Sequence, residues 1–200
     1  MADFDSIVQE VYTITNRPDL VKETQLAVKS ATLQLHRMEY FYKDILETAL
    51  KFNTSDYLQT IDYRSLFPRF RALKYLRKYD PTLGSEGTGD FLKIITPEEI
   101  LDSYNVQRSD ICYMAGAVIQ IRAKANIQYA LIGIYQNPDV NPTTYNSWIA
   151  DEARYAIIYK AASIVFGTVL GDVQRQQTNN NMADMEMLEV KNSNIIAQGY

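Results

Sequence analysis

"NSWIADEARYAIIYKAASIVFGTVLG", residues 146–171, is the stretch whose reading decides the fold. Asn146 or Ser147 supplies a helix N-cap, Asp151 and Glu152 put negative charge into the early turns, and Gly171 stands where a left-handed residue ends a helix. Ile149, Ala153, Ala156, Ile157, Ala161, Ile164 and Val165 cover one broad face, and the alanines let a second helix approach closely. Lys160 interrupts the apolar run and Asp151, Glu152 and Arg154 precede it, so it reads as a core helix and not as a membrane span. A core helix needs partners, and both ends of the chain offer them.

Upstream, an apolar-periodic opening runs through Ile14, and "NRPDLVKETQLAVKSATLQLHRMEY" then places Pro18 and Asp19 in what reads as a first helical turn. Val21, Val28, Ala31, Leu35 and Met38 form one stripe of that helix. Downstream, "DVQRQQTNNNMADMEMLEV" reads as a more polar helix. "KNSNIIAQGY", residues 191–200, reads as a terminal arm whose Ile195, Ile196 and Tyr200 suit docking on a partner. Between the helices, residues 41–140 change to short runs rich in Tyr, Ile, Phe and Leu, broken by "FNTSD", "DPTLGSEGTGD", "MAG" and "QNPDVNP". These predict an antiparallel sheet or small barrel. One short helix near 97–104 interrupts it, with Thr96 and Glu99 at capping-box spacing around Pro97. The expectation is an α+β fold: N-terminal helices over 1–40 and C-terminal helices over 141–190 form a bundle, with an antiparallel β-rich part inserted between them.

Composition narrows the function classes. The 200 residues are 46% hydrophobic and 22% charged, in the range of an ordinary globular domain with room for a core. The first residues lack a basic region followed by an apolar run, so no secretory signal is read there. The single cysteine, Cys112, allows no intrachain disulfide and reads as a buried structural thiol. His36, the single histidine, sits one position beyond Leu35 and reads as a surface or boundary residue. With one of each, a His/Cys zinc site within one chain is excluded. "GSEGTGD" has neither the lysine nor the helix start of a phosphate loop and reads as a hairpin loop. The acidic sets Glu98/Glu99/Asp102 and Asp184/Glu186/Glu189 have ordinary helical spacing, which favours solvated faces or intersubunit salt bridges over a carboxylate hydrolase or a metal site. No catalytic residue, metal ligand or cofactor is predicted.

"YRSLFPRFRALKYLRKYD", residues 63–80, gathers Arg64, Arg69, Arg71, Lys74, Arg77 and Lys78 with no acidic residue before Asp80. The chain has 20 Lys+Arg against 24 Asp+Glu, so outside residues 64–78 it carries 14 basic residues against 24 acidic. Charge segregated in this way points to a partner or a neighbouring subunit of opposite sign. Regular alternation after Pro68 would put Arg69, Arg71, Leu73, Tyr75, Arg77 and Tyr79 on one face and Phe70, Ala72, Lys74, Leu76 and Lys78 on the other, so that both faces are mixed. A dedicated nucleic-acid surface would have a clean apolar back, so pairing with acidic residues of an adjacent copy is favoured over phosphate binding. The 15 tyrosines agree, since Tyr joins contact area to a polar tip.

"RPDLVKETQLAVKSATLQLHRMEYFYKDI", "FPRFRALKYLRKYD", "GTGDFLKIITPEEILDSYN", "YQNPDVNP" and "SWIADEARYAIIYKAASIVFGTVLGD" stand in this order over nearly the whole chain. In that order the sequence resembles the head-to-tail adaptor proteins of short-tailed bacteriophages, also called tail tubular protein A or head completion proteins. The resemblance implies a ring, typically dodecameric, with a helical body and a β-rich portion. The ring would sit between the portal protein and the tail nozzle protein and surround the channel for genomic DNA. It also implies synthesis in the host cytoplasm, a place at the head–tail junction of the virion, and no enzymatic activity, cofactor or membrane. The terminal arm would then be disordered in the free protein and order on the portal. Two alternatives stand beside this one: a nucleic-acid-binding module using residues 64–78, and a head completion connector of a long-tailed phage.

Overall fold

The structure, a computed structural model, describes residues 3–51, 59–80, 88–99, 110–121 and 129–197. The fold is α+β, with helices at both ends of the chain. It divides into two compact units, one formed by Met1–Asp44 with Asn137–Tyr200 and the other by Ile45–Gln136. The expected β span of 41–140 compares with these limits of 45 and 136.

In the helical unit, α1 (Phe4–Thr15) buries Phe4, Ile7, Val8 and Val11 and ends at Asn16, whose left-handed φ of 53° lets its N–H reach the Tyr12 carbonyl. Helix α2 (Val21–Arg37) begins later than the sequence suggests. Arg17 instead holds Asp19 through two hydrogen bonds of 2.8 and 2.7 Å, and Pro18 and Asp19 form the turn before the helix. Thr24, Ala27, Val28, Ala31, Thr32, Leu35 and His36 are buried, whereas Val21 and Met38, the two ends of the expected stripe, are exposed.

The core helix is not continuous. Ser147 caps a short helix (Trp148–Glu152), Ala153 leaves helical geometry at φ −135° and ψ 53°, and a second helix (Arg154–Ile164) then runs into a π-helical segment, Val165–Val169. The single-residue break separates a turn that packs on α2 from a longer helix that packs on α1, α2 and the last helix of the chain. This longer helix is enclosed on most sides, with Ala156, Ile157, Ile158, Ala161 and Ala162 all buried, as a helix apolar all round must be. Gly171 adopts φ 68°, the left-handed stop that its position suggests. The last helix, Val173–Ala197, buries Asn179, Ala183, Met187 and Asn194 along one narrow stripe. It continues through residues 191–197, so that part of the expected arm is helix, tied down where the Tyr42 N–H donates to Asn194 Oδ1 at 2.9 Å. Numbering the helices in chain order, with the one-turn helix Tyr63–Leu66 of the β unit as α3, these three are α4, α5 and α6.

Among the described residues the β unit holds two four-stranded sheets. The first is ordered β1 (Ile45–Lys51), β8 (Tyr129–Gln136), β3 (Phe70–Tyr79) and β4 (Thr88–Phe91), antiparallel throughout. The second is ordered β2 (Gln59–Asp62), β7 (Val118–Ile121), β6 (Ile111–Ala115) and β5 (Lys93–Ile95). Its β5–β6 pair is parallel, an edge departure within the expected antiparallel-rich part. Leu76, Ile132 and Ile134 of the first sheet share one buried cluster with Ile61, Cys112, Ile119 and Ile121 of the second. After β5, Thr96 and Glu99 form the reciprocal capping box: the Thr96 N–H donates to the Glu99 carboxylate at 2.8 Å and the Glu99 N–H to Thr96 Oγ1 at 3.3 Å. Most of the "GSEGTGD" loop, Asp102 and the remainder of the predicted short helix lie outside the described residues.

Burial from both sheets pushes the Cys112 thiol up to about 12. A thiol reagent at neutral pH should leave the native protein unlabelled and take up one equivalent in denaturant, because only the thiolate attacks. Fast labelling of the folded chain would contradict this placement.

Candidate functional site

Two bulges decide what β3 presents. Pairing with β8 runs Phe70 to Gln136, Ala72 to Tyr135, Leu73 to Ile134, Tyr75 to Gly133 and Leu76 to Ile132, with register shifts after Phe70 and after Leu73. Each shift sets two residues of β3 against one of β8, so Phe70, Leu73 and Leu76 share the core face despite their spacing of three. The expected mixed faces are thereby corrected. From Phe70 to Leu76 the inner face is apolar, with Lys78 following in the same register, and the outer register carries Ala72, Tyr75, Arg77 and Tyr79.

On the outer face the Tyr75 ring lies across Gly133, where an added Cβ would sit 2.5 Å from its Cζ. The Tyr75 hydroxyl donates to Glu47 of β1, so a single ring crosses three strands. Desolvation first, then the Glu47 carboxylate, push the Tyr75 hydroxyl up to about 12. Phe91, 58% exposed, meets Tyr75 edge-on at 5.4 Å and carries the Arg77 guanidinium 4.4 Å above its ring. Lys74, displaced by the second bulge, holds its ammonium 5.7 Å from the Tyr135 ring, and Tyr79 meets Tyr129 edge-on. Of the six predicted basic residues, Lys74 and Arg77 thus come together on one aromatic surface. Arg64 is exposed on α3, Arg69 precedes β3, Arg71 occupies the first bulge, and Lys78 takes the inner register opposite Ala130.

The histidine missed by sequence reading is in the helical unit. His36 is 1% exposed, with Nδ1 2.7 Å from Asp44 Oδ1 and Nε2 2.9 Å from Ser147 Oγ. The Trp148 indole N–H donates to the same Asp44 oxygen at 2.7 Å, and the Trp148 ring packs edge-on against His36 and Phe41. The order Ser–His–Asp is that of a nucleophile relay. Here, however, Ser147 is 5% exposed and its hydroxyl accepts the Ala150 N–H as the cap of α4. The group therefore clasps the end of α2 to Asp44 and to the segment that enters α4. Beside it, Lys43, Trp148, Glu152, Glu189, Ser193 and Asn194 line a cleft of about 380 Å³. Lys43 Nζ lies 2.5 Å from both Glu152 oxygens and over the Trp148 ring, and the Glu152 hydrogen bond raises its pKa.

Asp184, Glu186 and Glu189 are exposed on α6. The side chains of Ile195 and Ile196, and all of Tyr200, lie outside the described residues. Among the described residues no group of three or more His, Cys, Asp or Glu could hold a metal ion, and no helix is long and apolar enough to cross a membrane. No protein-family model matches the chain, and no curated protein matches it.

Two substitutions probe these assemblies. Gly133→Ala should lift the Tyr75 ring, cost about 1–3 kcal/mol in urea unfolding, and return the tyrosine toward its ordinary 10.0, read as an ultraviolet difference titration against Tyr75→Phe. With a raised pKa, the Tyr75 contribution is fully present below 10.0 and is lost as the pH rises through about 12. Ser147→Ala removes both the α4 cap and the oxygen facing His36, and should cost about 1–3 kcal/mol; a change below a few tenths would show that the clasp is not structural.

Proposed function

We propose that the protein is a non-enzymatic virion component, a head-to-tail adaptor whose copies form a ring between a phage portal and its tail nozzle and surround the DNA channel. The observation that carries this reading is the outer face of the first sheet, where Phe91 holds Arg77 and Tyr135 holds Lys74, and where Tyr75, Tyr79 and Tyr129 add further rings. Aromatic rings around arginine are the composition of the energetic centre of a protein contact. The order of sequence blocks that resembles the adaptor family, and an α+β fold with helices from both chain ends, support the same reading.

A second reading has its own observation. The bulges give β3 an apolar back from Phe70 to Leu76, as a nucleic-acid surface needs, and aromatic rings beside cations suit stacking on single strands. Affinity for single-stranded or duplex oligonucleotides that falls steeply with salt would favour it.

The experiment replaces Lys74 and Arg77 together by Glu. The expected result is a nearly unchanged circular dichroism spectrum and melting temperature with loss of rings on purified portals, because exposed pairs contribute about 0–1 kcal/mol each but recur at every contact of a closed ring. Normal rings in electron micrographs on particles that leak DNA would place the cations toward the channel and overturn subunit pairing. Wild-type protein that fails to bind portals of short-tailed phages would remove the adaptor reading itself.

A further inference from the structure

On the side of α6 away from its buried stripe, Met182, Met185 and Leu188 recur every three residues and are 42, 74 and 58% exposed. The exposed carboxylates of Asp184, Glu186 and Glu189 stand among them, and no basic residue occurs from Gln176 to Val190. This is an apolar, acidic surface in the helical unit. The β unit has its counterpart, the outer sheet face of Tyr75, Tyr79, Phe91 and Tyr129 with Arg77 and Lys74.

We infer that the acidic, methionine-rich face of α6 in one copy docks on the outer face of the first sheet in a second copy. The inference rests on the ring reading above and names the two faces that meet in it. Three physical points select this occupant. Thioethers pack favourably against aromatic edges, and Met side chains adapt to an uneven ring surface. The charges are opposite, so carboxylates flanking Met185 face Lys74 and Arg77, which sets register more than affinity. Each face is also a poor partner for itself, since two α6 faces would bring the three carboxylates of each copy together and two sheet faces would oppose their cations. A contact between two different faces is heterologous; it leaves one of each kind free at the ends of a dimer and so propagates to a closed ring or a filament.

Site-directed disulfides test this on the full-length chain with no portal present, and the buried Cys112 stays silent in the assay. Oxidising a mixture of the Met185→Cys and Tyr79→Cys variants should give a 1:1 covalent dimer, and the chain carrying both substitutions should give a ladder of higher oligomers. Adding Lys74→Glu and Arg77→Glu should reduce the ladder about tenfold, and adding Asp184→Lys and Glu186→Lys as well should restore it, because reversed charges on both faces attract again. If Met185→Cys dimerises with itself as readily as with Tyr79→Cys, or if no ladder forms, the inference falls and the adaptor reading is untouched. A ladder from protein that does not bind portals would instead keep the inference and remove the adaptor reading.

Discussion

One buried carboxylate organises the helical unit. Asp44 is 7% exposed and takes the Trp148 indole N–H and His36 Nδ1 on a single oxygen. A carboxyl group so buried needs hydrogen-bond partners, and removing one of them leaves a penalty larger than the bond itself. The three residues come from separate segments: His36 lies in the last turn of α2, Asp44 is the last residue before β1, and Trp148 opens α4. Ser147, on the other ring nitrogen, also decides where α4 begins. The segments on either side of the inserted β unit are therefore fixed within the helical unit by a polar cluster, with Phe41 and Trp148 packed around it.

In the β unit the corresponding constraint is a collision avoided. Tyr75 reaches Glu47 only because Gly133 between them has no side chain, and the bulge after Leu73 brings Tyr75 opposite that glycine. Without the two bulges, alternation would turn Leu73 away from Leu76 and leave charged side chains pointing into the space between the sheets. Irregular pairing is thus the condition for a regular core. It also sets Lys74 and Arg77 on the solvent side, beside rings that hold them by cation–π contact.

Local signals were legible in the sequence, and signals that depend on distant partners were not. The capping box at Thr96 and Glu99, the left-handed stop at Gly171 and the burial of Cys112 each follow from a few neighbouring residues. The start of α2 failed because Arg17 competes for Asp19, a side-chain pairing that propensity ignores. His36 failed because its partners stand eight and 111 positions away, and no periodicity reports a hydrogen bond over that separation. The bulges of β3 left one trace: Phe70, Leu73 and Leu76 at spacing three inside a run rich in aromatic residues, a helix-like period in a strand-like composition. Of the candidate surface, the basic stretch was visible but its aromatic setting was not, since Phe91, Tyr129 and Tyr135 come from other strands.

The division of charge between the two units has a consequence for solubility and association. With a net charge of −4 on 200 residues, overall repulsion between copies is weak and does little to keep them apart. Local fields then govern encounters. An acidic α6 in one unit and a cationic sheet face in the other act over roughly a Debye length, about 8–10 Å at physiological salt. In the docking proposed above, copies that approach with unlike faces would be drawn together and copies with like faces turned away, so the charges would select orientation before the apolar side chains touch. In that docking the methionines and aromatic rings would supply the area that charge does not, and because exposed pairs are individually weak, an orientation chosen wrongly would be easily undone. An ordered assembly needs that reversibility, since contacts that form too tightly at first encounter cannot anneal into a closed ring.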